Sequence, residues 1–225
     1  MEYQHPAQLA NIVTSYCTCL AGLMPLIYTF LTRAHPKRWI FVYSCILLTG
    51  IPTVWLHSRE GYRLASFFDM GSNNLLAWAL LVAVTGDFME SRSRKILLSV
   101  ITPVNLAILT WLFLEIDCVP KKPLLRLGEF GHFLVGEVAL ILNSLLVTCI
   151  FFRYHSRIPR NARGLFYVIV AMFLLGLGLA TGDNDFISPR ILPWHATWHI
   201  VGAFGFMTLW VFNHQRFHGQ DPPSR

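Results

Sequence analysis

Charge is what this chain has least of. Asp, Glu, Lys and Arg together make up 13% of its 225 residues, while hydrophobic residues make up 54%. A soluble domain is typically about 25% charged, so this composition excludes an ordinary water-soluble globule. A disulfide framework is also missing. The five cysteines, Cys17, Cys19, Cys45, Cys118 and Cys149, are odd in number and fall mostly within apolar runs. They read as small side chains buried in a membrane. The net charge of +6 says little about nucleic acid, and no nucleic-acid partner is expected. The basic residues sit in short connections, where Lys and Arg set topology and meet anionic head groups. The polar N-terminus before Asn11 has neither Lys nor Arg and no small-residue cleavage site. The first apolar run is therefore expected to be a retained helix rather than a signal peptide. No repeat, low-complexity tract or composition shift divides the chain, so residues 1–225 read as one domain.

What the chain does have is apolar runs of about twenty residues, enough to cross roughly 30 Å of hydrocarbon as helix. Seven are expected, at about 11–32, 38–57, 67–89, 96–116, 131–152, 163–182 and 194–213. The predicted fold class is all-α, an integral membrane bundle of seven transmembrane helices. With the N-terminus outside and the C-terminus inside, 12 of the 18 Lys and Arg residues face inward. Arg59, Arg63, Lys121, Lys122, Arg126 and Arg190 then face outward. The positive-inside rule favours that orientation. The end of helix two and the starts of helices three and seven then share one membrane face.

That convergence gives meaning to the polar residues. His57 lies in the last turn of helix two, with Thr53 one turn earlier on the same side. Asp69 opens helix three, and His195 and His199 open helix seven in PWHATWHIVG. A spacing of four residues puts both imidazoles on one side of a helix, close enough to hold one ion. Three neutral imidazoles leave one tetrahedral position of zinc open, as a catalytic site requires. Water there loses its proton near neutral pH. Asp69 is suited to accept that proton and Thr53 to hydrogen-bond the water or a developing oxyanion.

Each residue taken alone has a plainer reading. The pair His195 and His199 suits head-group or backbone contacts, and His57 and Asp69 suit an interfacial pair capping helix ends. Thr53, after Pro52, suits a carbonyl freed by the kink. Glu137 and Asn143 lie within helix five, where a polar neighbour such as Asn105 accounts for them as well as a functional role does. Asn73 and Asn74 read as interhelical hydrogen bonders. His132 reads as interfacial, at the start of helix five. His35, His155, His214 and His218 read as head-group contacts on the inner side, and Asp183 and Asp185 as a solvated loop.

Thr53-x-x-x-His57, Asp69 twelve positions after His57, and His195-x-x-x-His199 together resemble the CREST superfamily of seven-helix membrane proteins. That superfamily includes alkaline ceramidases and the progestin and adipoQ receptors. The chain is most similar to the alkaline ceramidases. The resemblance implies that His57, His195 and His199 bind Zn2+, that Asp69 is the general base and that Thr53 fills a serine position. It covers the whole chain in span order, but its specific motifs amount to five residues. Two departures stand out. Threonine replaces serine, and MEYQHPAQLANIV offers only Glu2 in place of an acidic, calcium-binding N-terminus.

The expected function is a zinc-dependent intramembrane hydrolase of an amide or ester bond in a membrane lipid, ceramide-like by resemblance. The alternative is a lipid or hormone receptor with a structural zinc. Haem ligation is disfavoured because His195 and His199 share one helix face. A retinal pigment is disfavoured by the lack of lysine in helix seven. A transporter lacks an inverted repeat.

Overall fold

A computed structural model describes residues 6–58, 63–115, 125–126, 132–133, 135–181 and 194–218. Seven α-helices make up nearly all of it. They are α1 (Pro6–Thr32), α2 (Lys37–Ser58), α3 (Arg63–Phe88), α4 (Ser91–Glu115), α5 (Val135–Arg153), α6 (Arg160–Thr181) and α7 (Trp194–His218). The expected all-α class is what the described residues show, apart from a two-residue antiparallel ladder. In it Leu125–Arg126 (β1) pairs with His132–Phe133 (β2). His132 therefore belongs to that ladder, and α5 begins after it rather than near residue 131.

Five of the helices, α1 to α4 and α6, are long and apolar enough to cross a membrane. The described apolar part of α5 is shorter. α7 is long, but His195, His199, Asn213, His214, Gln215, Arg216 and His218 dilute its apolar character. The surface supports a lipid environment. Leu31 is 74% exposed, Leu114 70% and Phe204 65%, whereas Ser15, Asn143 and Asn213 are wholly buried. Water would favour the reverse arrangement. Hydrocarbon favours this one, because each buried polar group needs a partner inside the protein.

Several of those partners are visible, although the buried amide of Asn74, expected to bond across helices, has none among the described residues. Asn105 on α4 and Asn143 on α5 exchange amide hydrogen bonds of 3.2 and 2.7 Å, which explains Asn143 without a catalytic role. Asn73 differs from its expectation, donating back to the carbonyl of Asp69 on its own helix at 2.9 Å. Its side chain caps a local turn and shows no bond to another helix among the described residues.

Two glycines bring α1 and α2 into backbone contact. A Cβ on Gly22 would lie 2.3 Å from the Leu47 nitrogen, and one on Gly50 would lie 2.8 Å from the Cys19 nitrogen. Small residues of this kind let membrane helices approach closely, since lipid supplies no hydrophobic force to press them together. α1 ends at Arg33, whose φ of 53° turns the chain sharply toward α2. α7 packs on α1 and α6, and α3 packs on α2, α4 and α5. α1 is thus held beside both helices that carry the histidines singled out in the sequence.

Candidate metal centre

The ends of α2 and α1's neighbour α7 bring His57, His195 and His199 together. One ring nitrogen from each lies within 4.8 Å of the others. His57 and His195 face each other through their Nε2 atoms at 3.1 Å. The ring centroids of His195 and His199 are 4.6 Å apart, as their one-turn spacing dictates. Any three points so spaced share a centre within about 2.8 Å (4.8/√3), so inward movements of under an ångström reach the roughly 2.1 Å of a zinc–imidazole bond.

The surrounding hydrogen bonds orient two of these rings, and α1 supplies them. His57 Nδ1 lies 2.9 Å from the Gln8 carboxamide oxygen, which can only accept. The proton of neutral His57 therefore sits on Nδ1, leaving the Nε2 lone pair to face His195. His199 Nδ1 lies 3.1 Å from the Thr14 hydroxyl and 3.3 Å from that of Ser15. Both hydroxyls already donate to backbone carbonyls, Thr14 to Ala10 and Asn11 and Ser15 to Asn11. They accept from His199, which leaves its Nε2 lone pair bare. Partners that pin the far nitrogen of an imidazole in this way characterise histidine metal ligands. The sequence reading missed Gln8, Thr14 and Ser15, because nothing in the spacing of α1 says which helix it packs against.

Asp69 and Thr53 come together beside this cluster. The Thr53 hydroxyl contacts Asp69 Oδ1 and also bonds the Thr49 carbonyl at 2.8 Å. The carbonyl deprived of its donor by Pro52 is that of Leu48, so the kink does not account for Thr53. Its hydroxyl proton is already committed to Thr49 or Asp69. The contact ties Thr53 to the Asp69 carboxyl. Asp69 is not one of the three ligand groups. Glu137, Asp183, Asp185 and Glu2 lie outside the residues and side chains described.

The opposite end of the bundle holds a second polar centre, which the sequence reading also missed. Asp87, eighteen residues from Asp69 and so about 27 Å along α3, is 4% exposed at its side chain. It receives Arg38, the Trp39 indole at 3.0 Å and Arg216 at 2.5 Å. Arg216 also bonds Asn213 at 2.8 Å and packs on Phe217, with its guanidinium carbon 4.4 Å from the ring centre. Beside it lies His35, in the connection between α1 and α2. Burial, then the neighbouring His214, His218 and Arg216, push its imidazole down to about 4, so it is neutral at pH 7.

Fold and site thus define a helical protein with several membrane-compatible spans and a buried three-histidine cluster able to hold a metal ion. No protein-family model matches the chain, and no curated protein matches it significantly.

Proposed function

We propose that the protein is a multi-pass membrane hydrolase that uses zinc held by His57, His195 and His199 to cleave an amide or ester bond of a lipid, with ceramide-like amides as the leading substrates. All seven helices cross the membrane in this reading, N-terminus outside and C-terminus inside. The observation that carries the reading is the aim of the imidazoles. Two of the three have their far nitrogens within hydrogen-bond distance of partners on α1, and one nitrogen of each ring falls within reach of a single ion.

Zinc suits the donor set, since neutral imidazole is among its preferred ligands and three of them leave a position open. When bound, the ion supplies Lewis acidity toward a carbonyl and toward water. The protein's own groups do the rest. Asp69 accepts a proton from the attacking water and returns it to the leaving nitrogen or oxygen. Thr53 holds the carboxyl in place, and Gln8, Thr14 and Ser15 keep the imidazoles from rotating. The histidines lie near helix ends, and a lipid places its polar linkage at that depth while its chains stay between helices. The family resemblance of these five positions points the same way.

The test is purified protein in detergent, assayed for zinc content and for hydrolysis of ceramide and of matched ester lipids. Zinc and turnover both present, and both lost in His195→Ala, are the expected results. Full turnover in His195→Ala overturns the reading. Zinc retained with no product from any lipid would point instead to a receptor.

A further inference from the structure

α7 carries the same histidine spacing twice, His195 and His199 at one end and His214 and His218 at the other. The second pair does not face open solvent alone. The turn at Arg33 folds His35 back against it, with ring centroids 6.1 Å from His214 and 6.3 Å from His218. One nitrogen from each of the three lies within 4.8 Å of the others, the same criterion that the first cluster meets.

Two atoms in this cluster lack an explanation. His35 is 4% exposed, yet its Nε2 has no hydrogen-bond partner among the described residues. His214 Nδ1 is also buried and also without one. Leaving a buried polar atom unpaired is costly, so ring packing alone is a poor account of two of them in one place. The other nitrogen of His35 is held. Its Nδ1 lies 3.0 Å from the Tyr43 hydroxyl, which in turn accepts from Asn213 at 3.1 Å. That phenol has one proton of its own to place, so it either donates to His35 Nδ1 or accepts from it. With the proton on Nδ1, the tautomer a metal ligand needs, His35 would present an Nε2 lone pair toward α7.

We propose that His35, His214 and His218 form a second divalent-metal site, at the end of the bundle opposite the first, that takes zinc or another late first-row cation. Imidazole-only donor sets select this part of the series over magnesium or calcium. His218 is exposed, so an ion would enter and leave from that face. Arg216 is paired with Asp87, which offsets its charge beside the histidines. A bound ion would fasten the α1–α2 connection to the end of α7, which is a structural or sensing role, independent of the hydrolase reading.

The experiment uses full-length protein with a histidine-free purification tag, stripped by chelator and reloaded with Zn2+ alone, with zinc per chain counted by elemental analysis. Parent protein is expected to bind two equivalents. His214→Gln and His218→Gln should each lose one, and His195→Ala should lose the other. Because His218 is exposed, its substitution leaves the packing intact, and unchanged helicity by circular dichroism verifies this. A zinc-induced rise in Tm should survive in His195→Ala and shrink in His218→Gln. Parent-level zinc in either His214→Gln or His218→Gln overturns the second site. A parent that binds one equivalent, lost only in His195→Ala, overturns it too, and leaves the first site standing. One equivalent lost only with His214 and His218 supports it while the first reading falls.

Discussion

His57 Nδ1 on α2 lies 2.9 Å from the Gln8 carboxamide oxygen on α1, so a residue with no metal-binding chemistry decides which lone pair His57 can offer. Gln8→Ala should therefore weaken zinc binding by about 10- to 100-fold without removing any ligand. Competition against a chromophoric zinc chelator measures the change. A Gln8→Glu protein keeps the acceptor and should retain most of the affinity. Parent-like affinity in Gln8→Ala would show that the bond does not matter.

Thr53 contacts the Asp69 carboxyl and the Thr49 carbonyl. Thr53→Val removes the hydroxyl at nearly constant volume and should lower kcat by about 100-fold, the typical effect of misplacing a reacting group by an ångström. Thr53→Ser should restore most of it, and zinc content should be unchanged in both. Equal loss of zinc and kcat in Thr53→Val would assign the residue to metal binding instead.

Gly22 and Gly50 set the distance between α1 and α2. Gly22→Leu places a side chain against the Leu47 backbone, which cannot yield as a side chain tip can. Overpacking of this kind typically costs about 1–3 kcal/mol, and here it should also displace Gln8, Thr14 and Ser15. Thermal unfolding in detergent reads the first effect and zinc affinity the second.

Asp87 joins α2, α3 and α7 through Arg38, Trp39 and Arg216. Asp87→Ala leaves Arg216 buried beside aromatic rings without its counter-ion, a change that costs about 3–5 kcal/mol in comparable sites. The Tm should fall sharply, with more recovered in an Asp87→Ala, Arg216→Met double variant than additivity predicts. An unchanged Tm in Asp87→Ala would refute the joint.

Much of the plan was legible in the residues. Long apolar runs require helices, because hydrocarbon offers backbone groups no other partner. The four-residue spacing of His195 and His199 places both on one side of α7 whatever the rest of the chain does. Asn105 and Asn143 were legible as partners for the same reason, since polar side chains in apolar helices must find each other. The shorter α5 and the polar α7 are where hydropathy alone reads least well.

Other features depended on distant contacts. Asp87 in the last turn of α3 looks like any interfacial acid until Arg38 and Arg216 arrive from other helices. His214 and His218 look like head-group contacts until the left-handed turn at Arg33 brings His35 beneath them. Thr53 offers the same hydroxyl to an oxyanion or to a carboxyl, and its contact with Asp69 exists only because α3 approaches α2.

Composition and helical spacing, which act within one segment, determined that this chain forms apolar helices and which faces carry its imidazoles. Tertiary structure alone decided which rings come together and which partners their far nitrogens meet. Those outcomes require side chains far apart in sequence to meet within a few ångströms, and no local preference specifies that.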